Sequence, residues 1–176
     1  MIYKLLEPTS PILNIRMDEF TLEELKEKHK LTPEELLKNL AGTMDAMGGI
    51  GLSANQCGLP IRAFVMYTDF TKKDVALFMN PKIIWESPEE DFFKEGCLTF
   101  PFLFLNIKRP KMIEFEYTDK DGNIQKSKFT GLTARIFQHE YDHMEGRNFT
   151  QLASRLKLDM GMKKAQKLRK KALSQK

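Results

Sequence analysis

The chain has 176 residues, 41% apolar and 30% charged, with 3 histidines, 2 cysteines and a net charge of +4. That balance suits a single globular domain with a core of its own. It excludes a transmembrane helix, which needs an apolar run of ~20 residues, and a disulfide framework, for which Cys57 and Cys97 are too few.

The start, Met1-Ile2-Tyr3-Lys4-Leu5-Leu6-Glu7-Pro8, reads as neither a signal nor a transit peptide, so a cytoplasmic, reducing location is expected. Thr21-Leu22-Glu23-Glu24 is a capping box that opens a short polar helix. Thr32-Pro33-Glu34-Glu35 is a second, with Pro33 at the first helical position. Leu37, Leu40, Met44 and Met47 follow at helical spacing, and Gly48-Gly49 ends a helix expected over 33–47. Strands are expected at 61–68, 75–79 and 81–86. Residues 112–118 alternate, with Ile113, Phe115 and Tyr117 on one face, and Asp121-Gly122 turns them into a hairpin with 125–129. The period then changes. Leu132, Ile136, His139 and His143 share one helical stripe, which predicts a helix over 131–145 stopped by Gly146.

From about Leu152 the chain again reads as helical. Residues 155–176 carry nine Lys/Arg against one acid, Asp159, so the tail is +8 and the first 154 residues are about −4. Such asymmetry suggests an anionic partner for the tail, although a basic run is most often only a solvated face and this one lacks aromatic stacking residues. Helices flanking a strand-rich middle, with no strand–helix alternation, argue for an α+β fold. The expected arrangement has antiparallel β-sheets packed around the central helix near 131–145, with an N-terminal and a C-terminal helix. The domain reading is one catalytic domain over 1–154, with 155–176 as a basic helical tail, part of that domain or loosely attached.

The chemistry concentrates in Gln138-His139-Glu140-Tyr141-Asp142-His143. On a helix His139 and His143 lie one turn apart, the spacing that lets both hold one metal ion, and Glu140 stands beside it as a proton carrier. The ordinary alternative is a surface helix with two incidental histidines. Against it, Leu132 and Ile136 turn the histidine face inward, and a buried histidine pair is costly unless something accepts its lone pairs. The third ligand could be Cys97, His29, Cys57 or an acid. Cys97, beside Gly96, is favoured, because His29 sits in a charged stretch and Cys57 reads as a small buried hydrophobe. The segment Gly49-Ile50-Gly51-Leu52-Ser53-Ala54-Asn55-Gln56 has neither dinucleotide-binding nor nucleophile-elbow spacing. It suits an extended edge that pairs with a peptide, leaving Gln56 to donate an amide hydrogen bond.

Gly49-Ile50-Gly51-Leu52-Ser53-Ala54-Asn55-Gln56, Glu95-Gly96-Cys97-Leu98-Thr99 and Gln138-His139-Glu140-Tyr141-Asp142-His143 resemble, in order and spacing, the three signatures of the peptide deformylases. The likeness extends more loosely over residues 1–150. Ser53 stands where that family usually has alanine, Thr99 where it has serine, and Phe104 where many bacterial members have arginine. The resemblance implies a metal-dependent hydrolase that removes the N-formyl group from the initiator methionine of nascent polypeptides, releasing formate. It implies Cys97, His139 and His143 as metal ligands and Glu140 as general base and then acid. The Leu98 backbone N–H and the Gln56 amide would stabilise the oxyanion. Ile50, Gly51 and Gly96 would meet the peptide, with Ile50, Leu132 and Ile136 lining the methionine pocket and Phe93 at its rim. Glu95 and Arg109 would form a supporting ion pair. The ion would be Fe(2+) in the cell, with Zn(2+), Ni(2+) or Co(2+) possible in isolated protein. The expected partners are N-formyl-methionyl peptides and, through the tail 155–176, the ribosome, with no DNA, no membrane and a monomeric state. Two rival functions remain at this level: an HExxH-type metallopeptidase, and a ribosome- or RNA-binding accessory protein using the basic tail.

Overall fold

A computed structural model describes residues 1–175; Lys176, the last residue of the expected tail, lies outside the described residues. Two helices, α1 (Leu22–His29) and α2 (Pro33–Ala46), are followed by seven strands. These are β1 (Gly51–Ser53), β2 (Ala63–Asp69), β3 (Asp74–Glu86), β4 (Glu90–Cys97), β5 (Phe100–Pro110), β6 (Met112–Thr118) and β7 (Ile124–Thr130). Helices α3 (Gly131–Met144) and α4 (Arg155–Ser174) complete the chain. The strands form a five-stranded sheet in the order β1-β2-β3-β6-β7 and a two-stranded sheet β4-β5. All pairings are antiparallel, so the fold is α+β.

Local rules account for most element ends. Thr21 and Thr32 each accept from the N–H three residues on, and Glu24 and Glu35 accept in return from the threonine N–H groups, so both boxes close. Gly48, at φ +68, takes the left-handed position just past α2, where a side chain would be strained.

The segments expected as two strands, 75–79 and 81–86, are one continuous strand, β3. The sequence break between them is a bend. Asn80 is left-handed at φ +48 and clamps Phe20 through both backbone groups, at 3.1 and 2.7 Å. Pro81 has no N–H to offer the ladder, and the β3–β6 register shifts between Met79 and Lys82. The helix expected from about Leu152 starts later. Phe149–Leu152 forms a 3-10 turn, and α4 begins after Ser154, whose hydroxyl accepts from the Lys157 N–H.

Three apolar clusters hold the layers. Leu25, Leu36, Leu40 and Met44 of α1 and α2 pack on Leu52, Val65 and Leu77 of the larger sheet. On its other part, Phe137 of α3 meets Phe64, Phe78 and Phe115 with ring centroids 4.1–5.2 Å apart. The third cluster seats α4 on β5 through Ala165, Leu103 and Leu105. A Cβ at Gly161 would come within 2.8 Å of Leu105, so glycine is what lets α4 approach β5. The result is α3 sunk between the two sheets, with ten of its fourteen residues buried. Among the described residues no helix is long and apolar enough to cross a membrane.

Candidate active site

Three segments converge on the middle of α3: the β1 edge, the 3-10 turn Ala54–Cys57 behind it, and the end of β4. The ligand atoms of Cys97, His139 and His143 all lie within 4.8 Å of one another. Cys97 Sγ is 3.5 Å from His143 Nε2. Donors held about 2.0–2.3 Å from one tetrahedral ion lie roughly 3.3–3.8 Å apart, so the set fits a metal. His143 Nδ1 is buried without a hydrogen-bond partner, and Nε2, the nitrogen beside Cys97 Sγ, is the one whose lone pair faces the group.

The orientation of His139 comes from a buried charge network. Its Nδ1 donates to Glu95 Oε2 at 2.9 Å, leaving Nε2 free for an ion. Arg109 holds both Glu95 oxygens, at 2.6 and 3.0 Å, and reaches Asp142 of α3 at 2.9 Å. Arg135, also on α3, donates to the same Glu95 at 2.8 Å. Burial raises the Glu95 carboxyl, but hydrogen bonds from His139 and Arg109 and the charge of Arg109 outweigh it and hold it at about 2. Burial also raises Cys97. The charge of His143 and a hydrogen bond from His139 overcome that and bring the thiol well below its usual range, so it stands ready as a thiolate. Burial lowers His139, but its hydrogen bonds with Cys97 and Glu95 raise it to about 10. Cys57 behaves oppositely: burial, then the charge of Glu140, push it up to about 12, so it stays a neutral thiol.

Glu140 is buried on the cavity side of the Cys97, His139 and His143 group, and burial pushes its carboxyl upward. The Ser53 hydroxyl donates to Glu140 Oε2 at 2.7 Å. On the other side a Cβ at Gly51 would meet Oε1 at 2.5 Å, so only glycine leaves room for the carboxylate. Gly51→Ala is therefore expected to displace Glu140 and cut kcat by about tenfold or more, since a 1 Å misplacement costs about 100-fold. Steady-state kinetics with the metal content measured alongside would check this. Gln56 is held at both ends: its Oε1 accepts from the Ser53 N–H at 2.9 Å, and its Nε2 donates to Thr99 Oγ1 at 2.9 Å and to Cys97 Sγ at 3.4 Å.

These groups lie at the floor of a cavity of about 560 Å³. Gln56, Cys97, Leu98, His139 and Glu140 line it, as do Ile50, Gly51, Phe93, Gly96, Leu132 and Ile136. His143 does not line the cavity; it sits behind, 1% exposed. Leu132 is half exposed in the wall rather than packed in the core. Among the described residues His29 belongs to no such ligand group. Sequence reasoning missed Ser53, Thr99, Arg135 and Asp142 as groups touching the site. Arg135 and Asp142 fall four before and three after His139, so two charges on an inward-facing stripe were a usable signal. Nothing in the sequence placed the Ser53 hydroxyl against Glu140.

A Cys/His/His group with a carboxylate beside it, at the foot of an apolar cavity, defines a metal-dependent hydrolase. The comparisons narrow that class. The polypeptide deformylase family profile matches residues 2–159. A peptide deformylase of Bartonella tribocorum is 37% identical over 138 residues, 76% of this chain and 78% of the relative. One from Christiangramia forsetii is 40% identical over 138 residues, 70% of each chain. The crystal structure of a peptide deformylase from Legionella pneumophila superposes with a TM-score of 0.84 at 29% identity, covering 100% of this chain and 99% of that one. The chain belongs to the peptide deformylase family, metal-dependent hydrolases that remove the N-formyl group from nascent peptides. The metallopeptidase and the RNA-binding accessory readings are not favoured by this membership.

Proposed function

We propose that Cys97, His139 and His143 hold one divalent ion and that Glu140, Gln56 and the Leu98 backbone N–H carry the deformylation step. The observation that supports this most directly is the Glu140 carboxylate, fixed between Gly51 and Ser53 one residue from a ligand and facing the cavity. When bound, the ion supplies a Lewis acid that lowers the pKa of water from 15.7 toward about 7.

Glu140 accepts the proton of the attacking water. As the C–N bond of the formamide breaks and formate leaves, it delivers that proton to the departing amine. A carboxyl raised by burial suits both halves of that task. Gln56 Nε2 has two protons: one is committed to Thr99 Oγ1, and the other, on the longer contact toward Cys97 Sγ, is the one available to the developing oxyanion. The Leu98 N–H is the second donor, and each is worth about 3 kcal/mol of barrier. The peptide lies as an added strand between the edge at Ile50 and Gly51 and the carbonyl of Gly96. Its methionine side chain enters the space between Ile50, Leu132 and Ile136, with Phe93 at the rim.

Fe(2+) is the ion proposed for the cell. The Cys/His/His set also accepts Zn(2+), Ni(2+) or Co(2+), and does not choose among them by donor type. The test is formate release from formyl-Met-Ala-Ser with the metal identified in the same anaerobically purified sample. Absence of formate from metal-replete protein would overturn the reading.

We further propose a cytoplasmic monomer, with residues 1–154 as the catalytic domain and α4 as a basic tail that docks on the ribosome. Lys163, Lys164, Lys167, Lys170 and Lys171 are all exposed on α4. Deleting the tail would strip β5 of the cover that Ala165 provides, so changing these five lysines to glutamine is the cleaner test. Salt-sensitive co-sedimentation with ribosomes is expected to be lost while turnover of short formyl peptides is spared. Undiminished co-sedimentation would end the docking idea.

A further inference from the structure

The proposed catalytic groups account for the floor of the cavity but not for its outer wall. In the β4–β5 hairpin Cys97 pairs with Phe100 and Gly96 with Phe104, so Pro101, Phe102 and Leu103 form an extra loop on one side. Phe102 stands in this loop at φ +66, a left-handed conformation that bulky side chains rarely adopt. Strain of that kind persists where surrounding structure enforces it, and it clusters at binding sites. Leu103 and Leu105, buried beneath α4, supply the enforcement. Phe102 and Phe104 are left 40% and 56% exposed, and both line the cavity that reaches His139 and Glu140. The Phe104 ring lies directly on Gly96, where an added Cβ would come within 2.8 Å of it. Of the charged groups lining this cavity, Glu95, Arg135 and Glu140 are buried, which leaves Lys94 as the one exposed charge among those described.

We propose that Phe102 and Phe104 form an aromatic wall that selects an apolar, above all aromatic, side chain at whichever of the second and third residues of the formyl-methionyl substrate faces it. The inference rests on the deformylase reading and extends it past the first residue. A peptide pairing with the other edge of Gly96 runs beside the Phe104 ring, which reaches across from β5 to lie over Gly96. Successive side chains of an added strand point to opposite sides, so one of these two positions faces the wall. Covering two exposed aromatic rings with a third is favourable, whereas an acidic side chain there would lose hydration against the rings, with only the exposed Lys94 ammonium nearby to answer it.

The experiment compares kcat/KM for formyl-Met-Ala-Ser, formyl-Met-Phe-Ser, formyl-Met-Ala-Phe and formyl-Met-Ala-Glu, on the full chain and on a Phe102→Ser/Phe104→Ser variant. At least one phenylalanine peptide is expected to exceed formyl-Met-Ala-Ser by about tenfold, chiefly through KM. In the variant that ratio is expected to fall below about twofold. Each ratio is taken within one protein sample, so partial loss of folded variant cancels, and Phe104→Leu serves as a milder second variant with an intermediate ratio. Turnover without preference in the unaltered chain, or a preference that survives in the double variant, overturns the inference alone. Turnover of no formyl peptide overturns the deformylase reading and this inference together.

Discussion

Glu140→Gln is expected to reduce formate release by roughly 10²–10⁴-fold while the protein keeps its full complement of metal. Glutamine preserves the volume wedged against Gly51 and can still accept the hydrogen bond of Ser53, so the cavity floor should keep its shape. It cannot take up a proton. The loss should therefore fall on kcat, with KM for formyl-Met-Ala-Ser changed little. Metal analysis and kinetics on one preparation check this, and a variant that retains a tenth of the activity would remove Glu140 from the proton-transfer role.

The second large effect is on stability. Glu95→Gln takes away the anion around which Arg109, Arg135 and His139 are arranged. Breaking a buried charge pair costs about 3–5 kcal/mol, and the lower end applies here because Asp142 and Asp91 still answer the two arginines. At about 2–4 °C per kcal/mol for a chain of this size, Tm should fall by about 6–12 °C. The same carboxylate sets an acid sensitivity. Its folded pKa of about 2 lies below its ordinary 4.5, so its contribution is fully present above about 4.5 and is lost as pH falls toward 2. The Tm gap between the two proteins should be clearly narrower at pH 3 than at pH 7. A gap between them that is as wide at pH 3 would refute the assignment.

What was legible in the sequence was local. The boxes at Thr21 and Thr32 are completed by residues three apart, and the β6–β7 hairpin follows from an alternating run and an Asp-Gly turn. Helix α3 could be read because a 3.6-residue stripe of Leu132, Ile136, His139 and His143 cannot be mistaken for a strand. The β4–β5 hairpin was not legible. Phe102 and Phe104 put aromatic residues on the face opposite Leu103, Leu105 and Ile107, so the alternation that marks a half-buried strand is hidden. The bend at Asn80 was mistaken for a break because its compensating bonds go to Phe20, sixty residues away.

The candidate site divides along the same line. Donor identity, the one-turn spacing of His139 and His143 and the place of Glu140 between them are covalent and helical facts, so the sequence determined them by itself. Whether Cys97, forty-two residues upstream, meets those histidines depended on which strand packs beside α3. Only the tertiary structure decided that, through the Glu95–Arg109–Asp142 bridge that ties β4 and β5 to the helix. It also decided that Ser53 faces Glu140 and that Phe102 and Phe104 stay uncovered. Contacts between distant segments are selected by the packing of whole layers, and no window of neighbouring residues carries that information.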